Sequence, residues 1–154
     1  MHPPQPFGVL EHYPHMKPQD EHLWEKFLLT HPDFGDEVEY DVLVGEGMIF
    51  GDLKTDKYAA DFQQLTQKKI DAVVRKGSTF YIFEVKPNAG PTALGQILSY
   101  TRLWQKKHPE ARDVRMVVLT NEAQSDYEEI YASHSVELIS VGFCTVCRLP
   151  ANYG

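Results

Sequence analysis

Residues 69–86, KIDAVVRKGSTFYIFEVK, constrain the fold more than any other stretch of this chain. Two apolar runs, Ile70–Arg75 and Thr79–Val85, flank Lys76-Gly77-Ser78, whose turn-forming residues predict a β-hairpin. A hairpin brings its outer ends together, so Asp71 on one strand and Glu84 and Lys86 on the other are predicted to meet at one end of the sheet. Side chains two apart on a strand share a face, so Glu84 and Lys86 project together while Val85 turns into the opposite layer. Charges that end an otherwise apolar strand (Phe80, Tyr81, Ile82, Phe83) are costly to bury unless they pair or hold a metal.

Two carboxylates and an amine at a strand end suit a definite chemistry. The carboxylates hold a hard cation such as Mg²⁺ through oxygen. The cation stabilises charge on a phosphate and lowers the pKa of a bound water. The lysine orients or deprotonates that water and steadies the transition state. The plainer reading is a cross-strand salt bridge of Lys86 with Glu84 or Asp71, and the spacing alone does not separate the two. The following segment, opened by Pro91 and running to about Lys107, reads as a helix with Leu94, Ile97, Leu98, Thr101 and Trp104 as its apolar face. Gln96 and Tyr100 lie one turn apart and are expected opposite that stripe. There Gln96 can hydrogen-bond a metal-bound water or a phosphate, against the alternative of an exposed glutamine beside a half-buried tyrosine.

The remaining segments place this hairpin in a larger sheet. Residues 1–18 hold prolines at 3, 4, 6, 14 and 18 and no periodicity, and read as an extended arm, docked on a partner. Residues 20–30 read as a helix with Leu23, Trp24, Phe27 and Leu28 buried, Glu21 and Glu25 on its flank, Asp20 as its cap and His31-Pro32 as its stop. In residues 37–44, EVEYDVLV, Val38, Tyr40, Val42 and Val44 alternate with Glu37, Glu39, Asp41 and Leu43, the pattern of a half-buried strand. Residues 45–67 are irregular apart from a short helix near Ala59–Leu65. Val114–Leu119 reads as a central strand and Ser125–Ser133 as a helix capped by Ser125. Val136–Val141 is a last strand, continued by Phe143–Leu149. The order α β β β α β α β predicts an α/β domain over 19–141, a central mixed sheet flanked by helices, with 142–154 as a tail or extra strand.

In combination, Glu21 on the first helix, Ile70-Asp71, Phe83-Glu84-Val85-Lys86 and Gln96-x3-Tyr100 resemble the PD-(D/E)XK nuclease superfamily, whose restriction-endonuclease-like core is αβββαβ. The stretches EHLWEKFLLTHP (21–32) and EVKPNAGPTALGQILSY (84–100) are similar to the branch containing mismatch-cleaving endonucleases and relatives of Holliday-junction resolvases. The resemblance spans roughly residues 20–140. It implies a Mg²⁺- or Mn²⁺-dependent deoxyribonuclease, an endonuclease by its branch. Asp71, Glu84 and the Val85 carbonyl would be metal ligands, with Glu21 completing the acidic cluster and Glu25 and Tyr100 in support. Lys86 would serve the nucleophilic water and Gln96 would position water or phosphate. The arm, the tail and the long 45–67 segment depart from the minimal core and are where substrate, oligomer or partner is expected to be set.

Charge bears on the partner. The chain has a net charge of −7, which disfavours nucleic acid as a whole-molecule average. The distribution favours it: residues 54–107 hold ten Lys/Arg against four acids. Lys68, Lys69, Arg102, Lys106 and Lys107 are therefore candidate DNA phosphate contacts, against the plain role of solvating exposed faces. A homo-oligomer is expected where both strands must be cut.

Other classes receive less support. No apolar run approaches ~18 residues, so no membrane span is expected. The first residues lack a secretory pattern and two cysteines make no disulfide scaffold, so a reducing, cytoplasmic setting is expected, or host cytoplasm or virion for a phage protein. Cys144 and Cys147 read as packing, and His2, His12, His15 and His22 lack a fixed scaffold for metal. Gly45-Glu46-Gly47 reads as a turn. A catalytically silent subunit of a phage or DNA-packaging assembly is the alternative function, motivated by the overall acidity and the proline-rich arm. A hydrolase of small phosphorylated substrates is a third.

Overall fold

Alternating apolar residues in the strands and helical stripes between them build a six-stranded sheet with helices on both faces. The computed structural model describes residues 3–13 and 16–142. The elements are β1 (Gln5–Pro6), α1 (Pro18–Thr30), β2 (Glu37–Val44), α2 (Lys57–Thr66), β3 (Lys68–Lys76), β4 (Thr79–Val85), α3 (Pro91–Lys107), β5 (Asp113–Thr120), α4 (Ser125–Ser133) and β6 (Val136–Ser140). The strands lie in sequence order across the sheet. β1 to β4 pair antiparallel, and β4–β5–β6 pair parallel. The two parallel steps are crossovers through α3 and α4, as parallel pairing requires. The mixed α/β sheet expected from the sequence is the one observed. The expected strand Phe143–Leu149, the Cys144/Cys147 pair, His2 and His15 fall outside the described residues.

Each sheet face has its own core. On one, Leu23, Trp24, Phe27 and Leu28 of α1 pack on Val38, Tyr40, Ala72, Val74, Phe83, Val85, Val117 and Leu119. On the other, Ala93, Ile97 and Trp104 of α3 and Tyr131 of α4 pack on Val42, Val44, Ile70, Val73, Ile82, Val118 and Val136. Trp24 is the centre of the first core, in edge contact with Tyr40 and Phe83 and tilted against Phe27. Its Nε1–H donates to the Tyr40 hydroxyl at 2.8 Å, which satisfies the one polar atom of a fully buried side chain.

The structure departs from the sequence reading at several boundaries. The proline-rich arm docks on its own chain: Gln5 and Pro6 pair with Val38 and Glu37, Phe7 packs on Trp24 and Phe34, and Tyr13 is buried in the first core. Proline is acceptable in β1 because that strand is a sheet edge. Helix α1 starts at Pro18, earlier than expected, with Lys17 as N-cap, so Asp20 lies in the first turn rather than at the cap. Proline needs no N–H partner in a first turn and extends the helix to that point. At α4 the cap position is Gln124, with no side-chain cap bond, and Ser125 is the first helical residue. Asp56 caps α2 by accepting from the N–H groups of Tyr58 and Ala59.

The Trp24–Tyr40 bond gives a test of the first core. Tyr40→Phe keeps the ring packing and strands a buried indole N–H, so it should destabilise by about 1–3 kcal/mol. Urea denaturation monitored by tryptophan fluorescence measures it, and an unchanged midpoint would contradict the role given to this bond.

Candidate active site at the fork between β3 and β4

Strand β3 stays with β4 only part of the way. The β3–β4 ladder ends at Ala72↔Phe83, while β2–β3 pairing continues to Val44↔Lys68. On its other side β4 keeps its ladder with β5 to Val85↔Leu119, and the Lys86 N–H donates to the Leu119 carbonyl at 2.8 Å. Beyond Ala72 the two strands therefore fork. In the fork the Val85 N–H donates to Asp71 Oδ2 at 2.7 Å, so a carboxylate replaces the missing strand as acceptor. That bond satisfies a donor that would otherwise be buried and unpaired.

The same position is irregular in β2. Asp41 has φ +52°, in the left-handed region that Asp tolerates better than most residues. Pairing on either side is regular, Tyr40↔Ala72 and Val42↔Ile70, which sets Asp41 opposite Asp71 by count. Across this step the faces exchange. Tyr40 and Ala72 belong to the first core, whereas Val42, Val44 and Ile70 belong to the second. Extending the β3–β4 register by one residue sets Glu84 opposite Asp71. Asp41, Asp71 and Glu84 thus occupy one row across three neighbouring strands. Strict alternation put Asp41 on the polar face of β2; it is 8% exposed, and Glu84 is 7% exposed.

Burial governs the electrostatics of this row. Asp71 is pushed up to about 7, first by desolvation and then by the charges of Asp20 and Asp41, against the lowering by the Val85 N–H and Lys86. Glu84 is pushed up to about 8, first by desolvation and next by the Asp71 charge, with Lys86 opposing. Asp20, in the first turn of α1, acts on both carboxylates, and burial raises its own pKa while Lys17 and Lys86 lower it. Like charges in a low dielectric resist joint ionisation, and a cation relieves that resistance.

The predicted residues divide as follows. Asp71, Glu84 and Lys86 are brought together at the fork, with Val85 between them turned into the first core. Glu21 is not in this group. Its Oε1 accepts from the Tyr13 N–H at 3.0 Å and lies 3.3 Å from His12 Nδ1, so it ties the N-terminal segment to α1. Glu25 acts on the Tyr13 hydroxyl, on the same side. The acid of α1 that reaches the fork is Asp20. One residue is a rotation of about 100° on a helix, enough to carry a side chain to another face.

On α3 the buried stripe is Ala93, Ile97, Thr101 and Trp104, with Leu94, Leu98 and Tyr100 half-buried beside it. Ala93 is buried where the sequence pattern placed Leu94 and Leu98, which rotates the stripe away from the line drawn through those two leucines. Gln96 and Tyr100 consequently lie on the flank of the buried face, not opposite it. Gln96 is half-buried, and its Oε1 is shielded from solvent with no hydrogen-bond partner. Lys68, Lys69, Arg102, Lys106 and Lys107 are exposed. Among the described residues, no group of three or more His, Cys, Asp or Glu side chains converges closely enough to hold a metal by itself. No helix there is long and apolar enough to cross a membrane.

No protein-family model matches the chain, and no curated protein matches it. Solved structures do. A repair endonuclease from Pyrococcus abyssi matches with a TM-score of 0.51 at 12% identity, over 86% of this chain and 50% of that one. An EndoMS–dsDNA complex matches with a TM-score of 0.47 at 12% identity, over 88% of this chain and 51% of that one. The chain therefore spans about half the length of either. The match shows that this chain shares the fold of the corresponding half of that repair endonuclease.

The raised carboxylates carry a pH prediction. In the unfolded chain both ionise near pH 4, whereas in the folded chain they do so at about 7 and about 8. The folded state then binds more protons between those limits, so the pair lowers stability as pH rises from about 4 to about 8. In chelator, Glu84→Gln should raise the melting temperature at pH 8 and leave it nearly unchanged at pH 4. Equal effects at both pH values would contradict the burial of this charge.

Proposed function

We propose that this chain is a metal-dependent nuclease that hydrolyses DNA phosphodiester bonds at the β3–β4 fork. The observation that supports it most is the placing of Asp71 and Glu84, both buried, beside Lys86 at the open end of a nuclease-fold sheet. A purely structural ion pair explains these groups less well. Two buried carboxylates against one lysine leave an excess of negative charge, which destabilises a fold with no cation to bind.

The residues present fit a hard divalent cation. Asp71, Glu84 and the Val85 carbonyl would hold Mg²⁺ or Mn²⁺, and two protein carboxylates are the usual number for Mg²⁺, with water and substrate oxygens completing the shell. The lack of a closed three-acid group among the described residues agrees with such an open site. When bound, the ion neutralises phosphate charge and makes a water more acidic. Lys86 holds a proton beside the carboxylates and orients the attacking water. Gln96, whose Oε1 has no partner in the protein, accepts a hydrogen bond from that water. The charges of Asp20 and Asp41 add to the negative potential that draws the cation in. Lys68 and Lys69, a few residues before Asp71 on the same strand, and Arg102 and Lys106 on α3 meet phosphates without reading sequence. The P. abyssi protein is a repair endonuclease by its name, which favours cutting within a strand over trimming ends.

Incubation of the purified chain with labelled single-stranded, duplex and branched DNA plus Mg²⁺ or Mn²⁺ tests this. Cleavage should fall at least about a hundredfold in Lys86→Ala, a typical contribution of a group that manages a proton. It should disappear in Asp71→Ala and Glu84→Ala. Calorimetric Mn²⁺ binding should be lost in Asp71→Asn and retained in Lys86→Ala. Equal activity in all of these variants would overturn the site. No cleavage of any substrate by the wild type would leave the nuclease fold in a silent, structural role.

A further inference from the structure

Among the described residues, the segment between β2 and β3 carries most of the large apolar side chains that are exposed. Met48, Ile49, Phe50, Leu53, Tyr58, Phe62 and Leu65 are exposed, against only three other large apolar residues among the described ones. Tyr58, Phe62 and Leu65 recur at i, i+4 and i+7 on α2 and so form one stripe. That stripe faces outward, because the residue of α2 buried against the body is Ala59. The preceding loop lies along the same helix. Phe50 meets Phe62 edge-on with centroids 5.9 Å apart, and the Met48 N–H donates to Thr66 Oγ1 at 2.7 Å. These two contacts hold the exposed loop against the exposed stripe of α2.

We infer that this surface is the interface of a homodimer, in which α2 packs against α2 of a second copy. The area fits. Tyr58 and Leu65 are 82% and 83% exposed, Met48 and Phe50 62%, Ile49 56%, Phe62 39% and Leu53 37%. With roughly 150–250 Å² for each large side chain, that is on the order of 800 Å² of exposed surface, above the few hundred Å² of an ordinary monomer patch. It matches the ~800 Å² per partner of a standard stable interface. The charge pattern disfavours DNA as the occupant: residues 46–66 hold Glu46, Asp52, Asp56 and Asp61 against Lys54 and Lys57, an acidic excess that repels phosphate and that the apolar contact between two copies has to outweigh. The stripe also suits a copy of itself. A twofold axis through the middle of α2 lays Tyr58 over the partner subunit's Leu65, and Leu65 over the partner subunit's Tyr58, with Phe62 near the axis. The insertion joins the strands that carry Asp41 and Asp71, so a dimer built on it ties together the sheets that carry two forks.

Sedimentation equilibrium of the intact chain at tens of micromolar tests this independently of any nuclease activity. The wild type should sediment at about 35 kDa, twice the 17.6 kDa of one chain. Tyr58→Asp with Leu65→Asp should weaken self-association at least about a hundredfold, the loss of a central apolar contact on each side of the axis. Because both side chains point into solvent, the far-UV circular dichroism should not change. A wild type that sediments as a monomer, or a dimer that survives both substitutions, would overturn the inference. So would a monomeric wild type whose DNA binding falls on the same double substitution, which would assign the surface to nucleic acid.

Discussion

A backbone donor that has lost its strand organises the fork between β3 and β4. Where β3 leaves β4, the Val85 N–H would lie in the sheet with no acceptor, and Asp71 supplies one from its side chain. The bond fixes the Asp71 carboxylate beside Glu84, since both belong to the same position of neighbouring strands. It also holds the fork at a defined width, because the acceptor is a short side chain rather than a mobile loop. The placing of Asp71 beside Glu84 and the termination of a β-ladder are here the same physical event.

The fork opposes stability. Desolvation raises Asp71 and Glu84, the Asp71 charge raises Glu84 further, Asp20 acts on both and Asp41 on Asp71. What offsets this is the apolar packing on both sides. Trp24, Phe27 and Phe83 fill one layer, and Ile82, Ile97, Trp104 and Val118 fill the other. Strands held from both faces keep four acids at one end of the molecule when their repulsion would otherwise open it. Sites that use strained or repelling groups depend on such a rigid frame.

The legible parts of the sequence were those governed by period. The hairpin, both crossover helices and the meeting of Asp71 with Glu84 and Lys86 follow from alternation, turn residues and the geometry of paired strands. The misread parts were single rotations. Asp41 was placed with the polar residues of β2 because nothing local announces a positive φ in a strand, and that one residue exchanges the faces of Tyr40 and Val42. The resemblance implies Glu21 for the acidic cluster and the local pattern reads Asp20 as a cap, yet the helix begins at Pro18 and it is the Asp20 charge that acts on Asp71 and Glu84. On α3, Ala93 is too small to stand out in an apolar stripe, though it is buried, and Leu94 and Leu98 are only half-buried at its edge. The arm reads as docking on a partner rather than on its own sheet because prolines conceal strand pairing, and an edge strand is a place in a sheet where proline can pair.

These rotations share a cause. Periodicity fixes which residues share a face only while the backbone stays regular, and backbones at functional positions are where regularity gives way. Asp41 and the end of the β3–β4 ladder occupy one row, so the left-handed residue and the fork are neighbouring solutions to one geometric demand: strands that must separate by a carboxylate's width and still bury their next residues. The exchange of faces lets Val42, Val44 and Ile70 pack under α3 while β3 has already left β4. Without it these apolar residues would face the layer of α1, and the fork would lack a floor. An irregularity that reads as a defect in β2 is thus what allows β3 to diverge without exposing the second core.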